Sequence, residues 1–414
     1  MRLLHLFLPA LLVLSCSSSK ESPETAAVGD TSAAETSLGD AETDAGTLAD
    51  AGVDTTADAV TEAPDVAVDS APAGTDAVTK DVPTDTGPPK PVYTFAAAAC
   101  GQTPPADAIL PAKPKAYTGG TCPKLIADGK TLNPLQSQGN ARSFIVVAPS
   151  DIKPDEKLPV LFAYYWLKAS PNSFIEKGEL VAATQAQRFI AIVPESKKDI
   201  TIPFTKTNLP WPMLGTITPD ARFQEEHVFF DDMLACVAEQ FPIDNNCVAV
   251  TGVSAGALYT AQLVSQRSEY ISSYISLSGG IQTPALPDSV LATWTPPKIP
   301  RPMLILWGGP TDSCVLLSFQ AGSQQLETAE DTAGAFVTEC VHNCAHGVPP
   351  IDTPPGKSKF AVVWEFAWSH PFWLKTGESP WAKGLPADAP AWCGIGSNSA
   401  TIRTGACDPP GCPF

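Results

Sequence analysis

The feature that most constrains this chain is the segment 251–257, Thr-Gly-Val-Ser-Ala-Gly-Ala, in which Ser254 lies between two glycines. The apolar run Val248–Val250 precedes it, and apolar residues at helical spacing follow it. A strand that turns directly into a helix forces the corner residue into a strained backbone conformation, and only small residues two positions away leave room for it. The segment therefore predicts a serine nucleophile at a strand–helix corner.

Short, continuously apolar segments before and after this corner predict buried β-strands. They lie at 144–147, 160–164, 189–193, 274–277, 303–307 and 336–338. Between them, a set of apolar residues recurs at spacings of three and four and predicts one face of a helix. These residues are Phe230, Leu234, Val237 and Phe241. Apolar character without polar alternation is typical of strands covered on both faces, so the sequence predicts an α/β fold with a mostly parallel sheet and helices on both faces.

A serine hydroxyl becomes a good nucleophile only when a base removes its proton and an acid orients that base. Where a serine occupies a strand–helix corner of this kind, the acid and the histidine follow it in that order. Asp312 comes after the segment 303–307 and the turn Gly308-Gly309-Pro310-Thr311, at the carboxyl end of a predicted strand. We expect Asp312 to be the acid. The alternative is an aspartate that only stabilises its turn.

Five histidines are present, and their positions leave one main candidate for the base. His227 precedes the serine, which is the wrong order, and His5 lies in the apolar N-terminal segment. His346 lies in a loop after the last predicted strand, from which a ring can reach the serine. We therefore expect His346 to be the base. His370, which is better placed to cap a helix, and His342 are the alternatives.

Attack of a serine on a carbonyl also requires backbone N–H groups that bind the developing oxyanion. We expect one of them from Ala255, the residue directly after the nucleophile. The other is expected from the loop after the predicted strand 160–164, near Trp166. These two residues are the predicted oxyanion hole.

The N-terminal apolar segment Leu3–Leu14 is too short to cross a bilayer and predicts a signal peptide. The residues that end it, Leu14-Ser15-Cys16, resemble the lipobox of bacterial lipoproteins. By that resemblance, residues 1–16 are the signal and lipobox, and cleavage leaves Cys16 as a lipidated N-terminus that anchors the chain in a membrane. Ser17 in the next position suggests the outer membrane of the cell envelope. The alternative is an ordinary secretory signal in which Cys16 has no role.

Residues 17–92 have a composition that predicts disorder. They contain no aromatic residue and carry 16 acidic residues against three lysines, so most of the formal net charge of −18 belongs to them. Such a segment buries too little apolar surface to offset the entropy of ordering. We expect an acidic tether that holds a folded domain, residues 93–414, away from the membrane. The acidity argues against nucleic-acid binding, which requires a basic patch.

The predicted folded domain contains ten cysteines, and an exported protein forms disulfides. The best single pair is Cys236 with Cys247, which would join the end of a helix to the start of the next strand. The alternation Cys340-x-His342-x-Cys344-x-His346 suggests a metal cluster as an alternative. On an extended segment these side chains share one face without enclosing an ion, so no metal site is expected. A cysteine-rich tail, residues 376–414, ends the domain.

Together these segments resemble the secreted feruloyl esterase and polyhydroxybutyrate depolymerase group of α/β-hydrolases. The residues that carry the resemblance are Cys100–Pro104, Asp231–Leu234, Ile243-Asp244, Thr251–Gly256, Ser278–Gly280 and His346–Pro349. It implies an α/β-hydrolase fold and hydrolysis of an ester on a plant polysaccharide, or of a short polyhydroxyalkanoate, without a metal or organic cofactor. The chain departs from the group at Tyr165-Trp166 and at Gly308, because a histidine is usual in both places.

Two other functions are compatible with the same sequence. A catalytically inactive hydrolase fold at the cell surface could bind saccharide through aromatic side chains, an alternative that the altered oxyanion loop favours. The aromatic candidates are Trp166, Trp211, Trp364 and Trp368. A peptidase of the same fold would use the same three catalytic side chains on a different substrate.

Overall fold

One nine-stranded sheet organises the residues that the structure, a computed structural model, describes: 99–203, 206–281, 290–314 and 317–407. Its strands are β1 (Asp128–Ser137), β2 (Asn140–Val147), β3 (Leu158–Tyr164), β4 (Ile190–Pro194), β7 (Ile243–Val253), β8 (Ser273–Leu277), β9 (Met303–Trp307), β12 (Val337–Val341) and β13 (Cys393–Ile395). Two short antiparallel pairs lie outside it, β5 (Ile200–Thr201) with β6 (Asn208–Leu209) and β10 (Ser313–Cys314) with β11 (Leu317–Ser318).

The strand order of the sheet brings the predicted site residues to one edge. The order is β1-β2-β4-β3-β7-β8-β9-β12-β13, in which β4 to β12 run parallel and β1, β2 and β13 are added antiparallel. Parallel strands end at the same edge of a sheet, and ligands of α/β folds bind there. The loops after β3, β7, β9 and β12 carry Trp166, Ser254, Asp312 and His346, respectively.

Helices cover the sheet along most of its length. Within the described residues they are α1 (Pro171–Lys177), α2 (Leu180–Gln187), α3 (Asp220–Gln240), α4 (Ala255–Arg267), α5 (Phe319–Thr332) and α6 (Ala361–Ser369), with 3₁₀ turns at Gly309–Thr311 and Pro380–Lys383. Helices α4 and α6 both pack on β7 and β8, and α5 packs on β9 and β12. The stretch of β7 from Cys247 to Gly252 is buried throughout, as expected for a strand with helices on both faces.

The predicted α/β fold with a mostly parallel sheet is confirmed. Each of the apolar segments lies in a sheet strand or begins one residue before it. The predicted helix is α3, which begins earlier than its apolar face suggests, at Asp220. The edge strands β1 and β13 were not predicted. Buried and exposed residues alternate along β1, and β13 has only three residues, so neither produces a continuous apolar run.

Disulfides tie the segments before β1 and after α6 to the rest of the fold. Those that the described residues form join Cys100 to Cys247, Cys122 to Cys236, Cys340 to Cys393 and Cys344 to Cys407. The predicted pair Cys236–Cys247 is therefore wrong, because the segment before β1 passes close to both residues and supplies each with its own partner. Disulfides of this number indicate an oxidising compartment, periplasmic or extracellular.

Several predictions concern residues outside the described part of the chain. They are the signal peptide, lipidation of Cys16, the acidic tether of residues 17–92 and the domain boundary at residue 93. Among the helices that the structure does describe, none has the length and apolar character needed to cross a membrane.

The buried carboxyl group of Glu330 on α5 makes the stability of the fold depend on pH. Tyr274 of β8 donates its hydroxyl proton to Glu330 Oε1 at 2.7 Å. Burial raises the pKa of Glu330 from 4.5 to about 7. Above a pH of 4.5 the unfolded chain loses this proton, whereas the folded chain keeps it up to about 7. The free energy of unfolding therefore falls as pH rises through this window, by up to about 1.4 kcal/mol per pH unit.

Glu330→Gln keeps a neutral side chain and removes this titration. We compare the free energy of unfolding of the variant with that of the wild type at two pH values. This difference should shift in favour of the variant by about 2–3 kcal/mol from about pH 5 to about pH 8. Urea denaturation at the two pH values measures the gain. Glu239→Gln, at an exposed position of α3, is the matched control and should gain nothing. A wild type and a Glu330→Gln variant with the same pH dependence would contradict the prediction.

Candidate active site

Ser254 lies at the corner between β7 and α4, where the glycine spacing predicts it. Its φ of 54° and ψ of −118° lie in a region that non-glycine residues rarely occupy. The Ser254 N–H donates to Leu277 O of β8 at 2.9 Å, and the Ser254 carbonyl accepts the Leu258 N–H of α4 at 3.0 Å. The neighbouring strand and helix thus hold a strained residue in place, as is typical of functional corners.

The two glycines around Ser254 are required by close backbone contacts. A Cβ atom on Gly252 would collide with the backbone of Gly256, and one on Gly256 would collide with the carbonyl oxygen of Tyr164 at the end of β3. Both collisions involve backbone atoms, which cannot move aside without shifting the sheet or the helix. The same contacts bring the loop after β3 next to the nucleophile.

Three side chains from three loops form one connected set of hydrogen bonds. Ser254 Oγ lies 2.8 Å from His346 Nε2, and His346 Nδ1 lies 2.7 Å from Asp312 Oδ1. With a neutral imidazole, the serine hydroxyl donates to Nε2 and the Nδ1–H donates to the carboxylate. All three residues are at most 9% exposed, so water competes little for these bonds. The structure brings together the residues that the sequence predicts as nucleophile, base and acid.

Asp312 is held by backbone groups of its own loop. Its Oδ2 atom accepts the Gly308 N–H at 2.7 Å, and its carbonyl accepts the Phe319 N–H at 2.9 Å. The aspartate therefore stabilises its turn with one carboxylate oxygen and bonds His346 with the other. An aspartate that only stabilised its turn would explain the bond to Gly308 but not the bond to His346.

The acid loop and the histidine loop are in direct backbone contact. A Cβ atom on Gly308 would collide with the carbonyl oxygen of Ala345, and one on Gly309 would lie 2.7 Å from the carbonyl oxygen of His342. The histidine that is usual in place of Gly308 cannot fit here, because Ala345 occupies the space. This departure from the resembled group thus has a local steric reason.

Phe319 also holds the base, although the sequence analysis did not single it out. Its ring stacks on the His346 ring, with centroids 4.0 Å apart and an interplanar angle of 26°. Phe319 is buried at the start of α5, after the N-cap Ser318. Stacking fixes the plane of the imidazole and leaves both ring nitrogens to their hydrogen bonds. A large apolar residue that opens a helix just after the predicted acid was the available signal.

The two predicted oxyanion donors follow β7 and β3. Ala255 is the first residue of α4, and Trp166 lies in the loop whose first residues contact Gly256. Among the described residues, neither the Ala255 N–H nor the Trp166 N–H is engaged in a hydrogen bond. N–H groups in the first turn of a helix attract anions. Their role as an oxyanion hole stays a prediction.

Tyr165 anchors the predicted oxyanion loop, the residues after β3, from the side of the core. Trp211 Nε1–H donates to Tyr165 O at 2.7 Å, and the Ser196 N–H donates to the Tyr165 hydroxyl at 3.0 Å. Burial raises the pKa of the Tyr165 hydroxyl well above its ordinary value, so the group stays neutral. Tyr165, which replaces the usual histidine, is thus buried and hydrogen-bonded, and it holds the backbone directly before Trp166.

The two alternative histidines have structural roles. His370 ends α6, where its Nδ1–H donates to Phe366 O at 2.8 Å and its Nε2 accepts the Ser379 hydroxyl proton at 2.7 Å. His342 Nδ1 accepts the Cys344 N–H at 3.1 Å. Burial lowers the pKa of each of these imidazoles to about 4, so both stay neutral near pH 7. The candidate that bonds Ser254 is His346.

The alternating cysteines and histidines do not form a metal site. Cys340 and Cys344 are bonded to Cys393 and Cys407, so their sulfur atoms are not available as ligands. Across the described part of the chain, no group of three or more His, Cys, Asp or Glu side chains could hold a metal ion.

Two of the four aromatic residues considered for saccharide binding belong to the core. Trp211 and Trp364 are 0% and 1% exposed, respectively. Trp368 packs on Phe189 with ring centroids 4.5 Å apart. Trp166 is half-buried near the nucleophile. Trp211 and Trp364 are therefore excluded as surface residues that could bind saccharide.

The fold is shared with solved structures. Neither a family model nor the sequence of a curated protein matches the chain. The native structure of pOPH matches 70% of this chain over 100% of its own, with 16% identity and a TM-score of 0.53. The match to native sOPH covers 68% of this chain and 99% of sOPH, with 19% identity and a TM-score of 0.48. The match to a ferulic acid esterase covers 37% of this chain and 62% of the esterase, with 18% identity and a TM-score of 0.30. The predicted α/β-hydrolase fold is confirmed.

The stacking on His346 makes Phe319→Leu a test of the site geometry. The variant keeps an apolar side chain but removes the flat ring, so the imidazole loses one face of its support. We expect the rate constant for fluorophosphonate labelling of Ser254 to fall by about tenfold, because a small misplacement of the base slows attack.

Phe360→Leu is the matched control, because Phe360 is about as buried as Phe319 and its ring packs on Trp364, with centroids 5.9 Å apart, and not on His346. It should lose similar stability and keep the wild-type labelling rate. Equal labelling rates in the two variants would contradict a positioning role for Phe319.

Proposed function

We propose that this protein is a serine hydrolase that cleaves carboxylic esters through an acyl-enzyme. The observation that carries the proposal is the unbroken set of hydrogen bonds from Ser254 Oγ through His346 to Asp312, at 2.8 and 2.7 Å. A buried serine, histidine and aspartate, joined in this order at a strand–helix corner, activate a hydroxyl for attack on a carbonyl.

In the first half of the reaction, His346 Nε2 takes the proton from Ser254 as Oγ attacks the ester carbonyl. Asp312 holds the imidazole in the tautomer that leaves Nε2 free, and its negative charge stabilises the imidazolium that forms. The imidazolium then gives its proton to the leaving alcohol, and the acyl group stays on Ser254. Proton transfer by a positioned base of this kind contributes about 10²–10⁴-fold to the rate.

In the second half, His346 takes a proton from water as the water oxygen attacks the acyl carbon. The imidazolium then returns this proton to Ser254 Oγ as the bond between Oγ and the acyl group breaks and the carboxylic acid leaves. In both halves the carbonyl oxygen becomes an oxyanion that accepts hydrogen bonds from the backbone N–H groups of Ala255 and Trp166. Both groups lack another partner among the described residues, which supports this assignment. Each donor of an oxyanion hole contributes about 3 kcal/mol to stabilisation of the transition state.

The substrate class proposed is a feruloyl or acetyl ester of a polysaccharide, or a short polyhydroxyalkanoate. The support comes from the motif resemblance and from Trp166, a half-buried aromatic residue in the predicted oxyanion loop. An inactive saccharide-binding fold is not favoured, because Trp211 and Trp364 are core residues and the three catalytic side chains are intact.

We further propose that the hydrolase is a lipoprotein of the bacterial cell envelope. In this arrangement Cys16 carries the lipid, residues 17–92 form the acidic tether and residues 93–414 form the catalytic domain. The support is the lipobox-like sequence at Cys16 and the composition of the tether. The disulfides of the domain agree with an envelope location.

Turnover of a small aryl ester tests the catalytic assignment. We expect Ser254→Ala and His346→Ala each to lower kcat by about 10⁴-fold or more, because the three side chains act as a unit. His370→Ala removes a buried hydrogen-bonded ring, so it should lower the melting temperature and leave kcat of the folded protein near the wild-type value.

Loss of kcat in His370→Ala but not in His346→Ala would show that the base is assigned wrongly. Absence of both turnover and fluorophosphonate labelling in folded wild type would contradict the hydrolase proposal itself. Rates on feruloyl, acetyl and hydroxybutyryl esters, compared with those on peptides, would then define the substrate class.

Metabolic labelling with an alkyne fatty acid tests the lipid anchor. We expect the label on the wild-type chain and its loss in Cys16→Ser, together with transfer of the protein from the membrane to the soluble fraction. Ser17→Thr keeps the cysteine and serves as the control. A wild-type chain without label would refute the lipoprotein proposal and leave the catalytic proposal untouched.

A further inference from the structure

The C-terminal segment 393–407 packs along the strand that leads to the base. Strand β13 pairs antiparallel with β12, and Cys340 and Cys393 are partners in that register as well as in a disulfide. Glu339 Oε2 of β12 accepts the N–H groups of Ser399 and Ala400 at 2.7 and 2.9 Å. These contacts attach the segment to the end of the sheet that carries the histidine loop.

Beyond β12, the same segment bonds the loop itself. The Arg403 N–H donates to Val341 O at 2.9 Å, and the Arg403 guanidinium donates to Asn343 Oδ1 at 2.9 Å. Asn343 Nδ2 donates in turn to Gly405 O at 2.8 Å. Arg403 and Gly405 are therefore hydrogen-bonded to the last residue of β12 and to Asn343 of the histidine loop.

Among the disulfides that the described residues form, Cys344–Cys407 is the one nearest to the base in sequence, because Cys344 lies two residues before His346. Ala345, between Cys344 and His346, has a φ of 51°, which alanine rarely adopts. From residue 342 to residue 350 the chain forms neither helix nor strand. Regular structure therefore does not fix the backbone at His346. The contacts that hold it are the backbone of the acid loop on one side and the disulfide with its neighbouring hydrogen bonds on the other.

We propose that segment 393–407 is a clamp that positions the general base, with the Cys344–Cys407 disulfide and Arg403 as its positioning groups. The inference rests on the proposed function, because His346 acts as a base only if Ser254 is the nucleophile. An unclamped loop has more backbone conformations available. A displacement of about 1 Å at a reacting group lowers the rate by about 10²-fold, so the clamp acts on kcat and not on substrate binding.

The double variant Cys344→Ala/Cys407→Ala removes the covalent link of the clamp. The matched control, Cys122→Ala/Cys236→Ala, removes a disulfide that ties the segment before β1 to α3. Both deletions lower stability, so activity is measured well below the melting temperature of each. On a small aryl ester we expect kcat to fall by about tenfold or more in the clamp variant, by less than about twofold in the control, and KM to stay constant in both.

A second readout does not depend on turnover. The proton between His346 Nδ1 and the Asp312 carboxylate gives a low-field proton NMR signal when the two groups are hydrogen-bonded. We expect this signal in the wild type and in the control, and its loss in the folded clamp variant. A disulfide that only stabilises the fold would leave the signal unchanged.

Arg403→Ala tests the clamp without removing a disulfide, so it decides the question if the double variant does not fold. We expect kcat to fall by several-fold at constant KM, and Arg403→Lys to restore most of it, because an ammonium group can still donate to Asn343 Oδ1. Lys357→Ala, which removes an exposed ion pair with Asp388, is the control for loss of a surface charge.

Wild-type kcat and an intact low-field signal in both the Cys344→Ala/Cys407→Ala and the Arg403→Ala variants would overturn the clamp. A wild type without hydrolase activity in which the signal is lost only in the clamp variants would refute the proposed function and uphold positioning of His346. The two failures are thus distinguishable.

Discussion

One hydrogen bond, 2.8 Å long between Ser254 Oγ and His346 Nε2, joins side chains 92 residues apart in the sequence, and much of the structure serves to hold it. An imidazole removes the serine proton only if its nitrogen faces the hydroxyl at this distance. The parallel sheet brings the two loops to one edge, but loops alone leave the ring free to move. Asp312 fixes one end of the ring, and Phe319 fixes its plane. The loop that carries the ring is joined to the C-terminal segment by the Cys344–Cys407 disulfide.

Close contact between backbones is the second constraint on the site, and it accounts for the small residues there. Gly252 and Gly256 allow α4 to begin against the end of β3, and Gly308 allows the acid loop to lie against Ala345. Where the chain departs from the group that it resembles, a local contact explains the change. Gly308 lies where no side chain fits, and the Tyr165 hydroxyl bonds Ser196 after β4, which holds the loop after β3 in place.

The buried histidines of this protein differ in their hydrogen-bond partners and in their roles. His370 and His342 are fully buried, and burial lowers the pKa of each ring to about 4, so they act as neutral hydrogen-bonding groups within the fold. The His227 imidazole on α3 is buried in the same way, and its pKa falls to about 3. His346 differs in its hydrogen-bond partners, because its Nδ1 faces the Asp312 carboxylate and its Nε2 faces the Ser254 hydroxyl.

The sequence by itself determined the fold class and the three catalytic candidates. Continuous apolar runs predict buried parallel strands, the glycine spacing predicts the corner at Ser254, and chain order then selects Asp312 and His346. Only the tertiary structure decided which cysteines pair, that Phe319 stacks on the base, and that the C-terminal segment holds the histidine loop. The physical reason is range: periodicity and steric rules act between residues close in sequence, whereas these contacts join segments that meet only after the sheet has formed.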